Sequence, residues 1–307
     1  MSIAEHAPAA ADLIVNAMTI DVEDYFHVSV FDGLVGRHEW DRFESRVTAN
    51  TERLLGMFAD AGVHSTFFIL GWVAERHPEL VRRIADGGHE IASHGYEHRL
   101  IYDQTPEAFR QDVRKAKHVL EDAGGRHVRG YRAPSYSVTP KSLWALDVLL
   151  EEGYRYDSSI FPIRHDRYGI PLSARAPYPI ARPSGTLIEV PGSTTRLGPM
   201  NLPVAGGGYF RILPYWWTRW GIARVNRLER RPAIFYLHPW EIDPDQPRLN
   251  AGRLGRFRHY RHLDQTESRL RELLKDFHFD TVEALVAKAS TAVPSDAAAA
   301  LPLPYLW

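Results

Sequence analysis

Residues 90–132, EIASHGYEHRLIYDQTPEAFRQDVRKAKHVLEDAGGRHVRGYR, contain the pattern that decides the fold. The short run Glu90–Ser93 predicts a strand. Thr105 with the proline that follows it predicts a helix start, because threonine caps free N–H groups and proline suits the first helical position. Apolar residues then recur at steps of three or four: Phe109, Val113, Ala116 and Leu120. The pair Gly124–Gly125 marks the end of that helix, and Val128–Arg132 predicts a second strand, which completes a βαβ unit with parallel strands.

The same succession recurs over most of the chain. Strands are predicted at Ala17–Val22, Ser65–Leu70, Glu90–Ser93, Val128–Arg132, Tyr154–Ser158, Leu187–Val190, Ala233–His238 and Phe279–Val282. A second threonine–proline pair, at Thr139, predicts another helix start. We therefore expect an α/β protein with a mainly parallel sheet, built as a single domain over residues 17–290. Residues 1–16 are expected to form an N-terminal extension, and residues 291–307 an Ala/Pro-rich tail.

The composition excludes several classes of function. The 307 residues include 37 Lys and Arg against 38 Asp and Glu, and this net charge of −1 argues against binding nucleic acid or an anionic membrane by overall charge. Cysteine is absent, so disulfides, thiolate zinc sites, iron–sulfur clusters and cysteine nucleophiles are excluded. The sequence shows neither a signal-peptide pattern nor an apolar run of about 18 residues. We expect a cytoplasmic protein without an integral membrane segment.

Polar residues gather at the ends of predicted strands or directly after them. The stretches are Thr19–Phe26 with three carboxylates, His94–His98, Arg132–Tyr136, Tyr156–Ser159 and Leu237–Trp240. His94 and His98 have the four-residue spacing at which two imidazoles can share one divalent ion. Each cluster alone is typical of a solvated turn or a structural residue. Together they predict one active site, because barrel active sites lie at the carboxyl ends of the strands.

These motifs resemble, in the same order, those of polysaccharide deacetylases of the NodB-homology group, carbohydrate esterase family four. The matching segments are Asp21–Asp24, Ser65–Gly71, His94–His98, Tyr131–Pro134 and Leu237–Glu241. More narrowly, the sequence resembles the exosortase-associated deacetylases of exopolysaccharide gene clusters. The resemblance implies a distorted (β/α) barrel with about seven strands, in agreement with the alternation of strands and helices.

The resemblance also implies roles for individual residues. Asp21 matches the general base, Arg132 the arginine that braces this base, and His238 the general acid. Asp157 lies near the position of the aspartate that orients the acid.

A metal site is implied by the same resemblance. His94 and His98 match the two metal-binding imidazoles. Val22 stands where the family has its third ligand, so this ligand is expected to be Glu23 or Asp24. Glu23 would share a strand face with the base, whereas Asp24 keeps the usual residue type, and we expect Asp24.

Four residues are expected to contact the substrate. A backbone N–H of Ser135 or Tyr136 is expected to donate to an oxyanion. Tyr25 and Trp240 are expected to stack on sugar rings. The long stretch Asp243–Leu263 is expected to be irregular, with arginines and histidines that bind an anionic carrier.

We expect a metal-dependent hydrolase that removes N-acetyl groups from amino sugars of an exopolysaccharide or of its lipid-linked precursor. The cofactor is a divalent ion, for which two histidines and a carboxylate favour Zn²⁺. The partner is an N-acetylated oligo- or polysaccharide. Two alternatives stay open: a hydrolase of cyclic amides or imides on the same barrel, and a catalytically silent carbohydrate-binding protein.

Overall fold

The computed structural model describes residues 14–292, in which strands and helices alternate. The strands are β1 (Val15–Val22), β2 (Thr66–Ile69), β3 (Glu90–Ser93), β4 (Gly130–Tyr131), β5 (Tyr156–Asp157), β6 (Tyr178–Arg182), β7 (Gly185–Glu189), β8 (Thr194–Leu197), β9 (Met200–Pro203), β10 (Ile234–Leu237) and β11 (His278–Asp280). The α-helices are α1 (Val47–Ala61), α2 (Gly71–Arg76), α3 (Pro78–Asp86), α4 (Pro106–Gly124), α5 (Ala145–Glu151), α6 (Gly207–Ile212), α7 (Tyr215–Arg227), α8 (Gly252–Tyr260), α9 (Leu263–Asp276) and α10 (Val282–Ala292).

The main sheet is mostly parallel. Seven strands follow one another in the order β10-β1-β2-β3-β4-β5-β7, with β6 antiparallel to β7 and β11 parallel to β1. The sheet curves around a shared interior, because residues from five of these strands meet in one buried cluster that includes Ala17, Phe68, Ala92, Tyr156 and Ile234. The expected distorted (β/α) barrel with about seven strands is confirmed.

Helix α4 shows how the sequence determines these elements. The Thr105 hydroxyl accepts a hydrogen bond from the Ala108 N–H at 3.2 Å and caps the helix as predicted. The apolar residues that recur along α4 are buried: Phe109, Val113, Ala116 and Leu120. Gly125 ends the helix with a φ of +63°, a left-handed conformation that costs glycine little.

Three predictions along the chain are corrected. Helix α5 begins at Ala145 rather than after Thr139, whose N–H donates to the Ser142 hydroxyl in a preceding turn. Strand β6 and the hairpin β8-β9 have no predicted counterpart, because they form antiparallel pairs whereas the βαβ pattern predicts parallel strands. The stretch Asp243–Leu263, expected to be irregular, contains α8.

The chain ends differ partly from expectation. Val15 and Asn16, expected in the N-terminal extension, belong to β1. Residues 1–13, and residues 293–307 of the expected tail, lie outside the described residues. Between residues 14 and 292, no helix has the length and apolar character needed to span a bilayer.

Candidate active site

Polar side chains converge at the carboxyl ends of the barrel strands. Asp21 lies near the end of β1, His94 follows β3, Arg132 follows β4, and His238 follows β10. Asp21 and His94 are only 3% and 2% exposed, and Arg132 is fully buried. Because parallel strands end at the same edge of a barrel, residues far apart in the sequence lie side by side here.

Glu23, His94 and His98 form a compact buried group. One potential ligand atom of each lies within 4.8 Å of the others. The Glu23 Oε2 atom is 2.9 Å from His98 Nε2. His94 Nδ1 lies 2.8 Å from the Arg132 carbonyl oxygen, to which it donates. This hydrogen bond fixes the tautomer of His94 and leaves a lone pair on Nε2.

Asp24, the carboxylate expected beside these histidines, lies elsewhere. Its Oδ2 atom accepts hydrogen bonds from the N–H groups of Arg46 and Val47 at 2.9 and 3.2 Å, and thereby caps α1. The N–H of Tyr25 donates to Oδ1 at 3.2 Å. Backbone donors therefore occupy both oxygens of Asp24, and Glu23 takes the place next to the histidines.

A buried arginine braces Asp21. Arg132 Nη1 donates to Asp21 Oδ1 at 2.7 Å and to the Thr19 hydroxyl at 2.8 Å. Its Nε and Nη2 atoms donate to the carbonyl and the hydroxyl of Ser158 at 3.2 and 2.9 Å. Hydrogen bonds from Nε, Nη1 and Nη2 thus fix the orientation of the planar guanidinium. The second Asp21 oxygen, Oδ2, lies 3.9 Å from His238 Nε2.

The Glu241 carboxylate fixes the orientation of His238. His238 Nδ1 lies 2.6 Å from Glu241 Oε1, and the second Glu241 oxygen accepts from Arg211 Nε. Glu241 and Arg211 are 0% and 2% exposed. The other Arg211 donors reach the backbone carbonyl oxygens of Arg258, His259 and Arg261. This network orients His238 so that its Nε2 atom lies 3.5 Å from Glu23 Oε1 and 3.9 Å from Asp21 Oδ2.

In the structure, Glu241 rather than Asp157 contacts His238 Nδ1. Asp157 accepts from the Ser159 hydroxyl and lies opposite Glu189 in the pairing of β5 with β7. Burial raises the pKa of Asp157 to about 6. Burial and the Asp157 charge raise the pKa of Glu189 well above its usual range. The sequence did hold a signal for Glu241, because a carboxylate three residues after His238 can reach back to it.

Burial and neighbouring charges shift the pKa values of His94 and His238 in opposite directions. Burial lowers the pKa of His94 to about 4, so its ring is neutral and can act as a ligand. Burial disfavours the charged form of His238 as well, but Glu241 and Glu23 outweigh it and raise this pKa to about 9. Burial likewise opposes the charge of Glu23, yet His98 and His238 hold its pKa below the ordinary value.

Two aromatic residues expected to stack on sugar are buried. Tyr25 is 1% exposed and Trp240 is 4% exposed. The Trp240 ring is sandwiched between His238 and His259, with centroid distances of 5.1 and 4.2 Å. Its Nε1 donates to Glu23 Oε1 at 3.2 Å. Trp240 therefore supports site residues and leaves no open face for a sugar.

The turn after β4 holds the two expected backbone donors. Ser135 and Tyr136 both adopt left-handed conformations, with φ of +52° and +53°, which non-glycine residues adopt only under local constraint. The Tyr136 N–H donates to the Ala133 carbonyl at 3.0 Å and is therefore not available. The Tyr136 ring stacks on Phe161 at a centroid distance of 5.2 Å. The Ser135 N–H is therefore the remaining candidate for a backbone donor to an oxyanion.

Comparison with known families agrees with this geometry. Residues 39–156 match the polysaccharide deacetylase family. The chain contains a polysaccharide deacetylase domain. The matched segment includes His94, His98 and Arg132 and begins after Glu23. Residues 158–287 match a family described only as a domain of unknown function, DUF3473.

Curated relatives share part of this deacetylase domain. The chain is 31% identical over 108 residues to a peptidoglycan deacetylase of Helicobacter pylori, which covers 35% of this chain and 36% of that protein. It is 30% identical over 109 residues to a chitooligosaccharide deacetylase of Rhizobium leguminosarum bv. trifolii, which covers 32% of this chain and 51% of that protein. The chain thus spans between about a third and a half of the length of these relatives.

One solved structure is similar along its whole length. A crystal structure of an inferred polysaccharide deacetylase from Mycobacterium smegmatis matches with a TM-score of 0.65, over 98% of this chain and 97% of that chain, at 22% identity. This likeness shows that the deacetylase domain and the DUF3473 segment lie within one known fold.

The resemblance to the deacetylases implies a metal ion, and the group of Glu23, His94 and His98 fits one. Glu23 Oε2 and His98 Nε2 face each other at 2.9 Å, and both side chains are buried. Two imidazoles and one carboxylate are also a common donor set of catalytic zinc sites, which keep a position free for water.

Proposed function

We propose that the protein hydrolyses the N-acetyl group of amino-sugar residues in a saccharide and releases acetate and a free amine. One observation supports this most. The Asp21 Oδ2 and His238 Nε2 atoms lie 3.9 Å apart, next to the Glu23–His94–His98 group. A proton acceptor and a proton donor beside a metal-binding group suit amide hydrolysis. The curated relatives are named for peptidoglycan and chitooligosaccharide, which agrees with an N-acetylated saccharide as substrate.

We further propose an exopolysaccharide, or its lipid-linked precursor, as the substrate. The support is the resemblance of the ordered motifs to exosortase-associated deacetylases. The subgroup and the cytoplasmic location stay predictions.

Glu23, His94 and His98 are proposed to hold one divalent ion, for which Zn²⁺ suits the donor set best. Such an ion, when bound, lowers the pKa of water and polarises an acetyl carbonyl. The Trp240 N–H bond to Glu23 and the bond from His94 to the Arg132 carbonyl orient two of these side chains.

Asp21 is proposed to accept the proton of the attacking water. Its Oδ2 atom is available for this role, because Arg132 engages Oδ1. The guanidinium also keeps Asp21 in place. As the water oxygen bonds to the acetyl carbon, negative charge develops on the acetyl oxygen. The Ser135 N–H is the backbone donor that we assign to this charge.

His238 is proposed to protonate the departing nitrogen. An amine leaves poorly unless it takes up a proton as the C–N bond breaks. Glu241 accepts from His238 Nδ1, so the Nε2 proton faces the reaction site. The C–N electron pair stays on the nitrogen and takes this proton. Glu241 acts through His238 and is a positioning residue.

An acetate-release screen tests the proposed activity. Zinc-loaded protein is incubated with N-acetylglucosamine oligomers and, separately, with allantoin, and the products are followed by mass spectrometry. We expect one acetate for each acetyl group lost from the oligomers and no opening of the allantoin ring. Ring opening without acetate release would support the cyclic-amide alternative instead. Oligomer binding without acetate release would support a silent carbohydrate-binding protein.

Glu241→Gln is expected to lower kcat about 10- to 100-fold with little change in KM, because substrate contacts remain while His238 loses its charged partner. Initial rates of acetate release over a range of oligomer concentrations separate the two parameters. Asp157→Asn is the matched control and should leave kcat close to that of the wild type. A greater loss of kcat in Asp157→Asn than in Glu241→Gln would show that the wrong carboxylate is assigned.

A further inference from the structure

The stretch Gln246–Leu263 is strongly positive, although the chain as a whole is nearly neutral. It contains five arginines and neither Asp nor Glu, whereas the net charge of the chain is −1. All five are exposed: Arg248, Arg253, Arg256, Arg258 and Arg261. No carboxylate within the described part of the chain pairs with any of them. By contrast, Arg110 and Arg114 both pair with Glu152. The local positive charge is therefore available to an external anion.

Helix α8, within this stretch, turns apolar side chains outward. Its inner side packs closely, because a Cβ at Gly255 would lie 2.9 Å from Val30 Cγ2, and His259 is 2% exposed. On the other side, Leu254 and Phe257 are 61% and 48% exposed. Residues three apart on a helix share a face. The helix thus presents two apolar side chains among arginines.

We propose that the α8 surface, formed by Arg253, Leu254, Arg256, Phe257 and Arg258, binds the headgroup region of an anionic phospholipid bilayer. Guanidinium groups are attracted to lipid phosphates, and exposed Leu and Phe side chains gain by entering the boundary with the acyl chains. A soluble polyanion offers charge but no apolar layer for Leu254 and Phe257. The near-zero overall charge does not oppose this binding, because such attraction acts within about 10 Å of the surface.

The α8 surface is connected to the candidate active site. His259 of α8 stacks on Trp240 at 4.2 Å, and Trp240 stacks on His238 at 5.1 Å. Arg211 joins the last carbonyls of α8 to Glu241. A bilayer bound at α8 would therefore lie beside the residues that follow β10. Lipid binding does not rest on the proposed deacetylation, since it can be measured without any substrate.

Co-sedimentation of the full chain with vesicles tests this proposal. The vesicles contain equal parts of phosphatidylglycerol and phosphatidylcholine, or phosphatidylcholine alone. Each arginine near an anionic surface contributes about fivefold to binding, so R253Q/R256Q is expected to bind about 30-fold more weakly. The matched control R126Q/R155Q removes two exposed arginines that precede β4 and β5, at the opposite end of the barrel, and should bind like the wild type. L254S/F257S should lose the part of the binding that persists at high salt.

Three results would overturn the proposal. The first is equal binding to vesicles of phosphatidylcholine alone. The second is unchanged binding of R253Q/R256Q. The third is unchanged vesicle binding of L254S/F257S together with equal affinity for soluble heparin, which would assign the surface to polyanions. Acetate release from soluble oligomers is measured on the same variants and should be unchanged, so failure of lipid binding stays distinguishable from failure of the proposed activity.

Discussion

Asp21→Asn is expected to lower kcat/KM for acetate release about 1000-fold, the range over which a positioned general base contributes to catalysis. Asparagine keeps the shape of the side chain, and its carbonyl oxygen can still accept the bond from Arg132. It cannot take up the proton of the attacking water. Because Asp21 is not one of the three grouped residues Glu23, His94 and His98, zinc content should be unchanged.

Two measurements on the same sample test this prediction. Acetate release gives kcat/KM, and atomic absorption gives zinc per chain. Activity within about tenfold of the wild type, with zinc bound, would rule out Asp21 as the general base. Loss of zinc in Asp21→Asn would show instead that Asp21 belongs to the metal site.

Glu23→Gln is expected to weaken zinc binding at least ~100-fold, because losing a ligand costs more affinity than losing a residue that only hydrogen-bonds to a ligand. Deacetylase activity should be lost together with the zinc. The amide lacks the negative charge that offsets the cation. Asp24→Asn is the matched control, since it changes the neighbouring carboxylate in the same way. Its carboxylate accepts from the N–H groups of Arg46 and Val47. The asparagine should keep zinc and lower the free energy of unfolding by less than ~1 kcal/mol, because asparagine also caps helices well.

Zinc titration of the two variants, with thermal unfolding as a check on the fold, makes this comparison. If Asp24→Asn loses zinc while Glu23→Gln retains it, the third ligand is the one that the sequence motif favoured, and the geometry at the end of β1 has been misassigned.

The sequence was sufficient to predict which residues at the strand ends come together in the candidate site. Asp21 lies near the end of a strand, and His94, Arg132 and His238 each follow one, and the apolar run of each strand is visible in the sequence. Parallel strands bring such residues to one edge of a barrel, so their convergence follows from the βαβ pattern alone. The local pattern around Thr105 was likewise enough to place the start of α4.

The choice between neighbouring carboxylates could not be made from the sequence. Asp24 is occupied by N–H groups of residues more than 20 positions away, at the start of α1, and no local pattern reports such a contact. Asp157 is directed to Glu189 by the pairing of β5 with β7. The burial of Trp240 between His238 and His259 also depends on α8. The sequence did not indicate this helix, because glycine has a low helix propensity and the segment is rich in glycine and arginine.

Anomalous X-ray diffraction at the zinc edge, from crystals soaked in zinc, tests the proposed site most directly. We predict one strong peak at about 2.0–2.2 Å from a Glu23 oxygen and from one nitrogen each of His94 and His98. Asp21 and His238 should flank this peak without coordinating it. A peak bound by Asp24, or crystals whose zinc lies away from these three side chains, would contradict the metal-dependent hydrolase proposed for this chain.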